Sequence, residues 1–211
     1  MKYRFLVAIG VCFLLNGCFE SKPVSVASIG NAGTLGSPHF IRDMWVSDIY
    51  GGGANFGYGA VQGCCASSSI GIGIPSAIKG EWENNFGSDY WKKEWKKRWK
   101  PEWGDYDKNY GTRWYRIDDV IDSDIAKQKI ETMNHYYKNH HANPVMKLLV
   151  DGERILLLYA YACTPEINDD CTVREGADPN GWVQIAPYSK HKNSTVVVLY
   201  EGKGKVSDKP F

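Results

Sequence analysis

Apolar residues recur in this chain with two periods, and the changes of period mark out the elements. Phe40 to Tyr50 is rich in aromatic and β-branched residues, with Asp43, Ser47 and Asp48 interspersed, and predicts a strand. It runs into Gly51-Gly52-Gly53, a backbone that calls for positive φ or close approach. Gly57, Gly59, Gly63, Gly71 and Gly73 continue the glycine density to Pro75, a region of loops and strands. Ala77 to Phe86, with Trp82, predicts another strand.

The period then changes. Trp91, Trp95 and Trp99 recur every fourth residue, so a helix would place them along one face. Ser88 suits its N-cap, Asp89 its first turn, and Pro101 stops it. A second helix follows Asp122 or Ser123, with Ala126, Ile130, Met133 and Tyr137 as its apolar stripe, and ends near Asn139-His140-His141, before Pro144. Val145 to Val150, Asp151-Gly152, and Arg154 to Cys163 have the form of a β-hairpin. The unbroken run Ile155-Leu156-Leu157-Leu158 predicts burial on both faces. Trp182 to Ala186 and Thr195 to Tyr200 add two strands. The expected fold class is α+β: mainly antiparallel β, sandwich-like, with a helical insertion at about 88–141 in a single globular domain spanning 39–211.

The N-terminus changes the picture from fold to location. Lys2 and Arg4 precede the apolar run Phe5 to Leu15, which is too short to cross the roughly 30 Å hydrocarbon core as a helix. Residues 1–17 therefore read as a signal peptide. Leu15-Asn16-Gly17-Cys18 resembles a bacterial lipobox, which makes Cys18 the lipidated N-terminus of the mature chain. Residue 19 is Phe and not Asp, and the resemblance to sorted bacterial lipoproteins then implies the outer membrane, facing the periplasm, over inner-membrane retention. Residues 18–38, rich in Ser, Gly, Ala and Pro, read as a flexible tether.

Composition narrows the chemistry. Among 211 residues, Lys and Arg number 25 and Asp and Glu 24, so a net charge of +1 leaves no chain-wide footprint for nucleic acid. Beyond Cys12 and Cys18 the cysteines are Cys64, Cys65, Cys163 and Cys171, an even set that implies disulfides in an oxidising compartment. Cys163–Cys171 is the leading pair, closing the loop Thr164 to Asp170; Cys64 or Cys65 pairing with either of them is the alternative. No C-x-x-C or helical His pair suggests a metal, and no cofactor is expected. The chain has no G-x-S-x-G elbow and no phosphate loop. His135, His140 and His141 read as surface residues, and Asp118-Asp119 and Asp169-Asp170 as loop and cap residues. A thiol nucleophile at Cys64 or Cys65 with His191 as base conflicts with the oxidising compartment. The expectation is a protein that is not an enzyme.

Two readings of the Trp/Lys helix stay open. It docks Trp91, Trp95 and Trp99 on the sheet and solvates its lysines. Alternatively, those residues with Lys96 and Arg98 form a binding surface for an acidic partner or anionic headgroups.

The stretch Trp45-Val46, Gly51-Gly52-Gly53, Cys64-Cys65, Pro75 and Gly80-Glu81-Trp82 resembles a family of bacterial lipoproteins long catalogued as a domain of unknown function. Members are similar to immunity proteins encoded beside phospholipase effectors of the type VI secretion system. The match covers residues 40–82. Where the family commonly has a Trp-x-Pro-Gly-like segment, this chain has Pro75-Ser76-Ala77-Ile78-Lys79, and its Trp/Lys-rich stretch 88–116 is outside the family pattern. The resemblance implies a lipid-anchored immunity protein whose partner is a phospholipase-like toxin. The competing expectation is an envelope structural or assembly lipoprotein with no toxin partner.

Overall fold

The computed structural model describes residues 25–34, 39–56, 71–84, 113–137, 144–162, 178–185 and 194–211. These form two β-sheets and a helix, a mixed α+β fold that is mostly antiparallel.

The strands are β1 (Ala27–Thr34), β2 (His39–Asp48), β3 (Gly53–Phe56), β4 (Gly71–Ile72), β5 (Pro75–Asn84) and β6 (Arg113–Val120), followed by helix α1 (Ser123–Tyr137). The chain continues as β7 (Val145–Asp151), β8 (Arg154–Ala162), β9 (Gln184–Ile185), β10 (Ser194–Lys203) and β11 (Lys205–Ser207). One sheet has the order β4-β1-β7-β8-β10-β9 and the other β11-β6-β5-β2-β3. The pairing of β1 with β7 is parallel, and the other ladders are antiparallel.

Both sheets and the helix contribute to one core. Ile29, Met146, Leu148, Ile155, Leu157, Val197 and Leu199 of the first sheet join Ile41, Met44, Val46, Ile78, Trp82 and Ile117 of the second. Alternation explains most of this, since one side chain in two faces inward along a strand. In β2 the register shifts between Ile41 and Asp43, so Arg42 and Asp43 are both exposed while Ile41 and Met44 are both buried. Opposite Met44 lies Gly80, where a Cβ would come within 2.6 Å of the Met44 Cα.

The hairpin forms as the sequence indicates, but the two-residue turn is Gly152-Glu153, one residue later than Asp151-Gly152, because Asp151 pairs with Arg154. Gly152 has φ +58°, as the first central residue of a primed turn requires. Residues 155 to 161 of β8 are all buried. Alternate ones face the main core, while Leu156, Leu158 and Ala160 join Leu149 and Val196 in a second cluster on the other face.

Lys147 pairs with Leu158 on that second apolar face, and burial lowers its pKa below the usual lysine value. Lys147→Met is expected to raise the thermal midpoint at neutral pH. The folded state holds the proton less tightly than the unfolded state, so wild-type stability should climb relative to the variant as pH rises through the lowered pKa towards 10.5. Parallel thermal melts across the alkaline range check both statements.

Among the described residues, the strand expected over Trp182 to Ala186 is only the pair Gln184–Ile185, the one expected to reach Tyr50 ends at Asp48, and two segments expected outside strands belong to the sheets. Residues 27–34 of the expected tether are strand β1: Ala27 and Ile29 are buried around an exposed Ser28, and β7 supplies the ladder. Residues 113–120 of the expected helical insertion are strand β6, whose Tyr115 and Ile117 face inward. Its outward charges have cross-strand partners, Arg116 with Glu81 and Asp118 with Lys79 at 3.5 Å, so Asp118-Asp119 belongs to a strand and not a loop.

Helix α1 settles its cap. The Asp122 Oδ1 accepts the Ile125 N–H at 3.0 Å and the Asp122 carbonyl accepts the Ala126 N–H, which makes Asp122 the N-cap. Ser123 Oγ donates instead to the Pro75 carbonyl at 2.9 Å, tying the helix start to β5. Ala126, Ile130, Met133, Tyr136 and Tyr137 are buried. Asn134 Oδ1 accepts the hydroxyls of Tyr159 and Tyr161, both at 2.7 Å, which anchors the helix on β8. Burial raises both phenolic pKa values, so each hydroxyl stays a donor.

Candidate functional site

Beyond its bulge, β2 inverts the usual sorting of residues. Met44, Val46 and Asp48 face in, while Trp45 and Ser47 face out. A buried carboxylate and an exposed indole three residues apart are more informative than any buried leucine. Both are explained by the turn that follows.

Asp48 is the hub of that turn. Its Oδ1 accepts the N–H groups of Tyr50 and Gly52, each at 2.8 Å. Its Oδ2 accepts the Gly73 N–H at 2.9 Å, linking the turn to the chain that enters β5. The Asp48 N–H donates to the Gly52 carbonyl and the Ile49 N–H to the Ile74 carbonyl, at 3.0 Å each. Three of these five donors bond a carboxylate, an acceptor stronger than a neutral one.

The glycine triplet fits around this carboxylate. Gly51 has φ +82°, a conformation that side-chain-bearing residues rarely adopt. A Cβ on Gly52 would sit 2.8 Å from Asp48 Oδ2, and one on Gly53 2.8 Å from Trp45 Cζ2. The Trp45 indole therefore lies across Gly53 on the outer face of the sheet. Its Nε1 donates to Ser47 Oγ at 2.8 Å. It is 45% exposed.

Other apolar side chains are exposed at the same end of the five-stranded sheet. Ile49 and Tyr50 follow β2 directly. Val120, 79% exposed, ends β6 in the row Ser47–Ala77–Val120. Ile125 is in the first turn of α1, which the Ile121 N–H bond to the Ser76 carbonyl holds beside β5. Acidic residues accompany them. Asp118 pairs with Lys79, Asp119 accepts the Val120 N–H and the Tyr200 hydroxyl, Asp122 caps the helix, and Asp124 is exposed. This arrangement offers a preset apolar contact with a negative rim. Among the described residues no group of three or more His, Cys, Asp or Glu side chains is placed to hold a metal ion.

The residues singled out from sequence lie elsewhere. Cys18, Cys64, Cys65, Cys163 and Cys171 fall outside the described residues, as do Trp91, Trp95, Lys96, Arg98 and Trp99. The motif Trp45, Gly51-Gly52-Gly53, Pro75 and Gly80-Glu81-Trp82 is described, and its first half builds the exposed end. Sequence reading did not find Asp48, Val120 or Ile125 as site residues. The available signal was an aspartate three residues ahead of the glycine triplet, a spacing that lets a side-chain carboxylate close a turn. Comparison with protein-family models, curated proteins and solved structures finds no match for the chain.

Proposed function

We propose that this protein is a non-enzymatic lipoprotein of the bacterial envelope that binds and neutralises a phospholipase-like toxin of the type VI secretion system. The mature chain begins at Cys18, is held by its acyl chains in the outer membrane, and faces the periplasm. Its two sheets stack in a sandwich-like manner around the shared core. The observation that carries the reading is the Trp45 indole, exposed, bonded to Ser47 and lying over Gly53, with Trp45 and Gly53 both in the motif that resembles the immunity lipoproteins. An aromatic side chain fixed before binding loses little entropy when a partner covers it, which is how protein-binding anchors reach high affinity.

The test is capture from the envelope. The full chain, tagged at its C-terminus and extracted in detergent, should retain the lipase-like product of a neighbouring gene in stoichiometric amounts. Cys18→Ser should lose the acyl group, move to the soluble periplasmic fraction and still capture the toxin. A folded protein that retains no lipase counts against the neutralisation reading. Cys18→Ser staying in the membrane fraction counts against the lipid anchor.

A further inference from the structure

We propose that the end of the five-stranded sheet formed by Trp45, Ile49, Tyr50, Val120 and Ile125 is a docking face for a basic, apolar-tipped segment of a partner protein. The proposal rests on the neutralisation reading for the partner's identity, but not for the existence of the face.

Three observations converge. Among the described residues, five of the eight large apolar side chains that are exposed stand at this end, the others being Ile185, Val206 and Phe211. Their framework is stiff: three backbone N–H groups close on Asp48, and Ile49, Ile121 and Ser123 are tied to residues 74–76. Among the described residues the surrounding charge has one dominant sign: Lys79 balances Asp118 and Lys127 balances Glu131, which leaves Asp119, Asp122 and Asp124 as the excess. A partner that covers Trp45 and Val120 brings its own rim against these carboxylates. An acidic rim would be repelled, whereas Lys or Arg would be steered in and held.

Two binding measurements on the full chain in detergent decide this. The first uses a synthetic amphipathic peptide of Leu and Lys, and its counterpart with Glu in place of Lys. The Leu/Lys peptide should bind on the order of tenfold tighter, and the preference should shrink as salt is raised. Trp45→Ser with Val120→Ser should weaken it by on the order of tenfold or more with the thermal midpoint unchanged. Asp118→Asn with Asp124→Asn should remove most of the salt dependence. Equal binding of both peptides, or no effect of the Trp45/Val120 pair, overturns the proposal.

The second measurement uses the co-purified lipase. Capture that the Trp45/Val120 pair abolishes supports both the face and the neutralisation reading. Capture that the pair leaves unchanged overturns the face as the toxin's site and leaves neutralisation standing. With no capture by wild type, neutralisation fails and the peptide comparison alone decides the face.

Discussion

Trp82→Ala is expected to destabilise the fold by about 3–5 kcal/mol, the range for deleting a large buried aromatic. Trp82 is fully buried, stacks on its cross-strand neighbour Tyr115 with centroids 5.4 Å apart, and joins the two sheets. Its Nε1 donates to the Gly152 carbonyl at 2.7 Å, while the Gly152 N–H donates to His39 Nε2, also at 2.7 Å. The β7–β8 turn of one sheet is thus gripped through both polar groups of a single glycine by residues of the other. The chain crosses from β10 to β11 at Gly204, whose missing Cβ leaves room for the Trp82 ring and whose N–H donates to the Glu153 carbonyl at 2.7 Å. Alanine removes ring, stack and hydrogen bond together. Trp82→Phe keeps a ring in the core and loses the bond, so about 1–3 kcal/mol is expected. Urea unfolding of the two variants checks the order; equal losses would mean that the ring and its stack add nothing beyond the Gly152 bond.

Asp48→Ala carries the second large effect, about 2–3 kcal/mol: it strands the buried Gly73 N–H, where an unpaired donor costs about 1–3 kcal/mol, and removes the acceptor of the part-buried Tyr50 and Gly52 N–H groups. Asp48→Asn should fall between, because its carbonyl oxygen still accepts two donors while its amide turns a third donor towards Gly73. Hydrogen exchange separates this from general unfolding. In Asp48→Asn the amides of Tyr50, Gly52 and Gly73 should exchange faster, with those of β8 unchanged.

The legible parts of the fold were those whose side chains obey one period throughout. The stripe Ala126, Ile130, Met133 and Tyr137 marked α1, and the apolar run of β8 marked a strand with two buried faces. Strand β1 was hidden because its residues are small and its parallel partner β7 lies more than a hundred residues away. Strand β6 was hidden because Arg116 and Asp118 look like connector residues until Glu81 and Lys79 are seen opposite them. At the candidate site the obstacle was the bulge in β2. It shifts the strand by one residue, so Trp45 emerges and Asp48 goes in, the reverse of what their polarity suggests. The glycine triplet was readable as a need for space. What fills that space, a carboxylate and an indole, was not.

The central claim is neutralisation, and titration of lipase activity tests it most directly. The lipase-like product of the neighbouring gene would be assayed on phospholipid vesicles with increasing amounts of the detergent-extracted full chain. Activity should fall linearly and vanish near one equivalent, while the Trp45→Ser, Val120→Ser variant should need a large excess. Full lipase activity at a tenfold excess of wild-type protein would contradict the claim.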